Sequence, residues 1–185
     1  MDKVKIAGEL VRMAEELTAA QGELKYNSPL DQWLVDNGWQ ETHGIGLYTN
    51  SKYPLVGVDT NSGSATTLAF KSKSDVFNTE GGFVGHTDSL SELKKDVTGA
   101  AVTAELFAIL SKKYPRYKGL LPTSGISFWG DKKKGEVSFE VYTDNWTVVV
   151  GGFSDGIKKK MSPNARSIVK FIEKAQQEIL TQRAV

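Results

Sequence analysis

His86 and Asp88 are the side chains whose types and spacing come nearest to general acid–base chemistry. Gly81-Gly82-Phe83-Val84-Gly85-His86-Thr87-Asp88 sets an imidazole and a carboxylate two residues apart, beside a glycine pair. An imidazole can take a proton from a nucleophile, and a nearby carboxylate steadies the imidazolium that results. Neither a G-x-S-x-G nucleophile turn nor a phosphate loop adjoins them in the sequence. Asp88 also has a structural explanation, as part of the helix start that follows. The chain has no cysteine and no H-x-x-E or H-E-x-x-H spacing, so a metal centre would need ligands from distant segments. No metal and no cofactor is expected.

Lysine is the second candidate. Lys132, Lys133 and Lys134 fall in one loop, and Lys158, Lys159 and Lys160 fall just before the last helix. With Lys112, Lys113, Arg116 and Lys118 they could make one basic face that binds phosphate in a salt-dependent way. Trp129 and Trp146 flank the same hairpins and could stack bases, although core is the commoner fate of a strand tryptophan. Against a polyanion site, 22 acidic residues offset 23 basic ones for a formal net charge of +1, and no nucleic-acid-binding motif frames the clusters. Lysines that keep loops solvated are the plainer explanation. The glycine pairs at 81–82 and 151–152 lack phosphate-loop spacing.

These residues need elements to position them. With 39% hydrophobic and 24% charged residues, the 185-residue chain has an ordinary globular composition and can bury a sizeable core. Residues 2–20 read as an amphipathic helix with Val4, Leu10, Val11 and Leu17 on one face. Either it docks on the core or a sister subunit, or it is a detachable arm over 1–22. Ser28-Pro29 opens a second helix with Leu30, Trp33 and Leu34 as its buried stripe, and Asn37-Gly38 closes it. Three strands follow at about 44–49, 54–60 and 65–71, then a mobile loop over 72–88. Ser89 and Glu92 form a capping box for a helix that runs to Lys113, broken or bent near Gly99. Alternation at Ile126/Phe128, Val137/Phe139/Val141 and Trp146/Val148/Val150 predicts a second three-stranded group. Ser162-Pro163 then caps a final helix with Ile168, Val169, Ile172, Ala175, Ile179 and Leu180 on its inner face.

The order is α-α-βββ-α-βββ-α, an α+β fold of helices packed on antiparallel sheet, with residues 23–185 as one domain. Trp33, Leu34, Phe139, Val148, Ile168 and Ile172 should lie in its core. The two strand groups echo each other. Gly44-Ile45-Gly46-Leu47-Tyr48 meets Gly125-Ile126-Ser127-Phe128-Trp129 at an offset of 81, which also lays Val56 on Val137 and Val58 on Phe139. Either the halves, about 29–113 and 114–185, are a duplication, or β-rich segments are alike by chance.

Two resemblances follow from these residues. Val4-Lys5-Ile6-Ala7-Gly8-Glu9-Leu10-Val11-Arg12-Met13-Ala14-Glu15-Glu16-Leu17 resembles helices that open many tailed-phage-encoded proteins. The element order from residue 29 is similar to small secretion-chaperone-like folds, which dimerise and bind partner chains. No apolar run reaches the ~20 residues that span a bilayer, and the N-terminus lacks a signal-peptide apolar region. We therefore expect a cytoplasmic protein, or one in host cytoplasm or virion if phage-encoded, and no membrane partner. The first reading is a non-catalytic accessory or structural protein acting by contact with a protein partner or itself. A nucleic-acid or polyanion binder is the rival, and a hydrolase using His86 comes third.

Overall fold

The computed structural model describes residues 28–42, 46–61, 63–78, 82–121, 125–152 and 156–184. The expected arm over 1–22 and His43 lie outside the described residues. Helix α1 (Pro29–Asp36) leads into strands β1 (Gln40–Thr42), β2 (Leu47–Asn50), β3 (Tyr53–Asn61) and β4 (Ser64–Ala69). Helix α2 (Lys73–Asn78), strand β5 (Gly82–Thr87) and the long helix α3 (Leu90–Lys113) complete the first half. The second half holds β6 (Lys118–Leu120), β7 (Gly125–Trp129), β8 (Phe139–Tyr142), β9 (Thr147–Val150), β10 (Ile157–Lys160) and helix α4 (Ala165–Arg183). Each half is a five-stranded antiparallel meander, β1-β2-β3-β4-β5 and β10-β9-β8-β7-β6. The fold is α+β. Five-stranded groups replace the expected three-stranded ones, and with them goes the element order on which the likeness to secretion-chaperone-like folds rested. Among the described residues, no helix is long and apolar enough to cross a membrane.

Helix α1 forms for the reasons its sequence gives. The Ser28 hydroxyl accepts the Leu30 and Asp31 N–H groups at 3.0 and 3.3 Å. Gly38 takes the left-handed conformation (φ 78°), and Trp39 folds back so that its N–H donates to the Leu34 carbonyl at 3.0 Å. Leu30, Leu34 and Trp39 are buried against α3 and the first sheet. Trp33 is only partly buried at the edge of that core.

Helix α3 serves both halves. Leu93, Val97, Ala100 and Ala104 seal the first core, with Val56 and Val58 beneath them. Leu106, Phe107 and Leu110, one to two turns on, belong to the second core with Phe128, Phe139, Val148, Ile168 and Ile172. The helix is continuous through Gly99, where a break was expected. A mid-helix glycine costs about 1 kcal/mol relative to alanine, and burial of eight side chains along the helix outweighs that. Its start is also built differently from the expected capping box. The Ser89 side chain makes no cap hydrogen bond. Instead the Thr87 hydroxyl accepts the Ser89 N–H at 2.9 Å and donates to Glu92 Oε2 at 2.8 Å.

The segment 72–88, expected as a mobile loop, carries α2 and β5. Its glycines serve close approach. A side chain at Gly85 would collide with the Asp96 carboxylate on α3, so the bare backbone lets helix and strand come together. Burial there raises the Asp96 carboxyl above the usual range, with Glu92 one turn away adding to the effect and Lys95 opposing it. Gly57 does the same on the other face of β3, where the Phe70 ring and Leu47 cover its Cα. Leu47 and Phe70, with Leu68 beside them, make a small second core on that outer face.

Three more expectations are corrected in the second half. Lys158–Lys160 lie in β10, an edge strand, and not in a loop. Helix α4 is capped by Asn164, whose Oδ1 accepts the Ser167 N–H at 2.9 Å, so Ser162-Pro163 precede the helix without capping it. Trp146 stands in the β8–β9 turn and not in the strand, with φ at 55°. That left-handed conformation costs a bulky side chain about 1–2 kcal/mol.

Candidate functional site

His86 lies exposed on β5, paired across the ladder with Thr66 on β4. Its Nδ1 and the Thr66 hydroxyl are 2.9 Å apart. A hydroxyl beside an imidazole has the form of a nucleophile–base pair, and a working triad adds an acid on the far imidazole nitrogen. The acid in this row is Asp59 on β3, which pairs with Thr66 from the opposite side. The order acid–hydroxyl–imidazole sets the carboxylate beside the would-be nucleophile, where it would resist formation of an alkoxide. Burial raises the Asp59 carboxyl. Asp88 is exposed beyond the end of β5, and no described hydrogen bond ties it to His86. Among the described residues, no group of three or more His, Cys, Asp or Glu could hold a metal ion.

The lysines point in several directions. Lys132, Lys133 and Lys134 form one 3-10 turn between β7 and β8. Asp131 caps it by accepting the Lys133 N–H at 3.0 Å, and its carboxylate lies 3.7 Å from Lys134 Nζ. In β10, Lys158 is paired with Val149 and Lys160 with Thr147, while Lys159 alternates to the helix side and lies over the Phe171 ring at 5.5 Å. Charged side chains on an edge strand keep it from pairing with another chain, which accounts for three lysines at this position. Lys113 is paired with Glu173, Arg116 Nε lies 3.7 Å from Glu136 Oε1, and Lys118 Nζ lies 6.0 Å over the Trp129 ring.

A groove of about 770 Å³ lies beside the β7–β8 hairpin. Trp129 stands at its lip, Val149 lines it on the outer face, and Phe139, whose ring lies in the core, borders it along β8. Its lining carries both signs of charge, Lys132 and Arg183 with Glu136 and Glu140, so of the six clustered lysines only Lys132 takes part. The hairpin is braced from within. Ser138 Oγ accepts the Gly130 N–H at 3.1 Å, and Glu136 Oε2 accepts the Asp131 N–H at 2.8 Å. On the same outer face the Tyr142 hydroxyl donates to Glu140 Oε2 at 2.6 Å. Burial and then that carboxylate push the phenol up to about 12.

Trp129 is 50% exposed, against the expectation that a strand tryptophan is core. The signal was in the alternation. Ile126 and Phe128 face inward, so period two turns Trp129 outward. The groove itself had no such signal, because Gly151, Gly152 and Arg183 reach it from β9 and from the far end of α4. No protein-family model, curated protein or solved structure matches this chain.

Proposed function

We propose that the protein acts by contact, holding an extended segment of a polypeptide partner in the groove beside Trp129. The observation that carries this is the half-exposed Trp129 at the lip of a groove of about 770 Å³. Tryptophan is the residue type most enriched among the few side chains that dominate binding energy. Lys118 over its ring orients the indole. The mixed charge of the groove supports a peptide over a phosphate backbone, since Glu136 and Glu140 would repel the latter. An aliphatic or aromatic anchor flanked by charges of both signs is the segment that suits it. The accessory or structural role read from the sequence belongs to the same proposal.

The test is selection from a displayed library of random peptides about ten residues long. Selected peptides should bind the full chain with dissociation constants near 10 µM, on the order of a weak peptide–groove contact. Trp129→Ala should weaken them about tenfold or more while leaving the fold intact. Peptides that bind Trp129→Ala equally well would remove the groove from the proposal. Mixed-sequence single-stranded RNA that binds at 150 mM salt and displaces them would move it to the polyanion reading, an outcome at roughly physiological ionic strength.

A further inference from the structure

A second cleft, of about 340 Å³, lies where the first half of α3 meets the β8–β9 turn. Its lining is Lys94, Lys95, Thr98, Gly99, Trp146 and Pro163. Two of these residues break the rules of their own elements. Trp146 holds the left-handed conformation, which a hairpin turn normally gives to glycine or asparagine. The turn enforces it, because Asn145 Oδ1 accepts the Thr147 N–H at 2.9 Å and the Trp146 carbonyl accepts the Met161 N–H at 2.9 Å. Gly99 sits in the middle of a 24-residue helix, the worst non-proline choice there. Packing does not demand it. A Cβ at 99 would lie 3.6 Å from Val84 Cγ1 and 3.7 Å from Trp146 Cζ2, both ordinary van der Waals distances. Each exception keeps this cleft as it is, Trp146 by furnishing an aromatic wall and Gly99 by leaving the floor open. Sequences violate local rules chiefly where function requires it.

We infer that this cleft is a binding site for a small planar aromatic carboxylate. The indole of Trp146 gives a flat ring a stacking surface, and Pro163 supplies apolar contact. Lys94 and Lys95 are in the lining and carry the charges that a carboxylate would need, with Lys94 Nζ 5.7 Å over the Trp33 ring. The Thr98 hydroxyl donates to the Lys94 carbonyl at 2.9 Å. A volume of this size admits one or two fused rings, and the location between the two halves is typical of ligand clefts. The site is separate from the Trp129 groove and does not depend on it.

The probe is 2-naphthoate, with neutral 2-naphthylmethanol as its control, titrated against the full chain by NMR chemical-shift mapping. Binding of naphthoate at about 1 mM or tighter is expected, the level that an unoptimised ligand of this size reaches. Shifts should centre on Thr98, Gly99 and Trp146, and the neutral control should bind at least about fivefold more weakly. Lys94→Gln with Lys95→Gln, both exposed and harmless to the fold, should weaken naphthoate to the level of the control. Gly99→Leu should fill the floor and abolish binding. If naphthoate fails to bind below about 10 mM, or binds the lysine variant as well as the native chain, the inference is wrong. Shifts centred on Trp129 would overturn it too.

Discussion

The two meanders differ most on their outer faces. In the first, Leu47, Leu68 and Phe70 cover that face, and Gly57 lets the Phe70 ring sit directly on the sheet. An offset of 81 lays Gly57 on Ser138, Leu68 on Val149, Asp59 on Glu140 and Phe70 on Gly151. Asp59 pairs with Leu47, and Glu140 with Ser127, so Ser127 stands where the first half has Leu47. Two large apolar side chains of one half are thus a serine and a glycine in the other. The Trp129 groove opens where they are missing, with Ser138, Val149 and Gly151 in its lining. The echo of Gly44–Tyr48 in Gly125–Trp129 is itself one residue out of register with this pairing. That slip puts Tyr48 in the first core while Trp129 faces solvent. One meander therefore closes its outer face for stability, and the other leaves it open.

The largest effect that tests this contrast is Phe70→Ala. Phe70 is fully buried, so the change should cost about 3–5 kcal/mol in urea unfolding, as Phe139→Ala should in the second core. A cost below about 1 kcal/mol would mean that the outer cluster is not structural. Raising the pH should act next, through groups of the second half. Tyr114 donates its hydroxyl to Gln176 Oε1 at 2.8 Å, and Gln176 Nε2 donates to the Val137 carbonyl at 2.7 Å. Burial, with Glu173 adding to it, pushes the Tyr114 phenol up to about 12. The folded state then holds this proton more tightly than the unfolded chain, whose tyrosines titrate near 10. Stability is full below about pH 10 and falls as pH rises toward 12. Tyr114→Phe should lessen that fall, leaving the part that Tyr142 contributes, and denaturation midpoints at a series of alkaline pH values would show it. The smallest effect belongs to Trp129→Ala, expected within about 0.5 kcal/mol of the native chain by thermal unfolding. A loss above about 2 kcal/mol would make Trp129 a core residue and erase the difference between the two faces.

Sequence reading found the centres of both sheets and none of their edges. β2, β3 and β4, like β7, β8 and β9, have partners on both sides and a buried face, so their apolar residues alternate. The four strands missed are β1, β5, β6 and β10, and every one is an edge. Gln40-Glu41-Thr42, the glycines of β5, Lys118-Gly119-Leu120 and Ile157-Lys158-Lys159-Lys160 carry little apolar alternation, because an edge must resist further pairing. The stripes of α1, α3 and α4 were legible, while α2 was not, and of the expected caps only Ser28 makes its hydrogen bonds. Asn164 was overlooked because Ser162-Pro163 offered a similar signal two residues earlier. Of the sites, Trp129 could be read from parity alone. The cleft at Trp146 could not, because it depends on a turn conformation and on a helix 47 positions earlier in the chain, at Gly99.

The division of α3 between two cores bears on how this molecule is inherited and how it melts. Residues 29–113 carry the helix that both sheets need, so a copy of the second half taken alone would lack the cover supplied by Leu106, Phe107 and Leu110. The first half taken alone would present that same stripe to water. Neither could detach and leave its neighbour intact. Despite having two sheets the chain should lose its structure in a single cooperative step, with amide protons along α3 among the last to exchange.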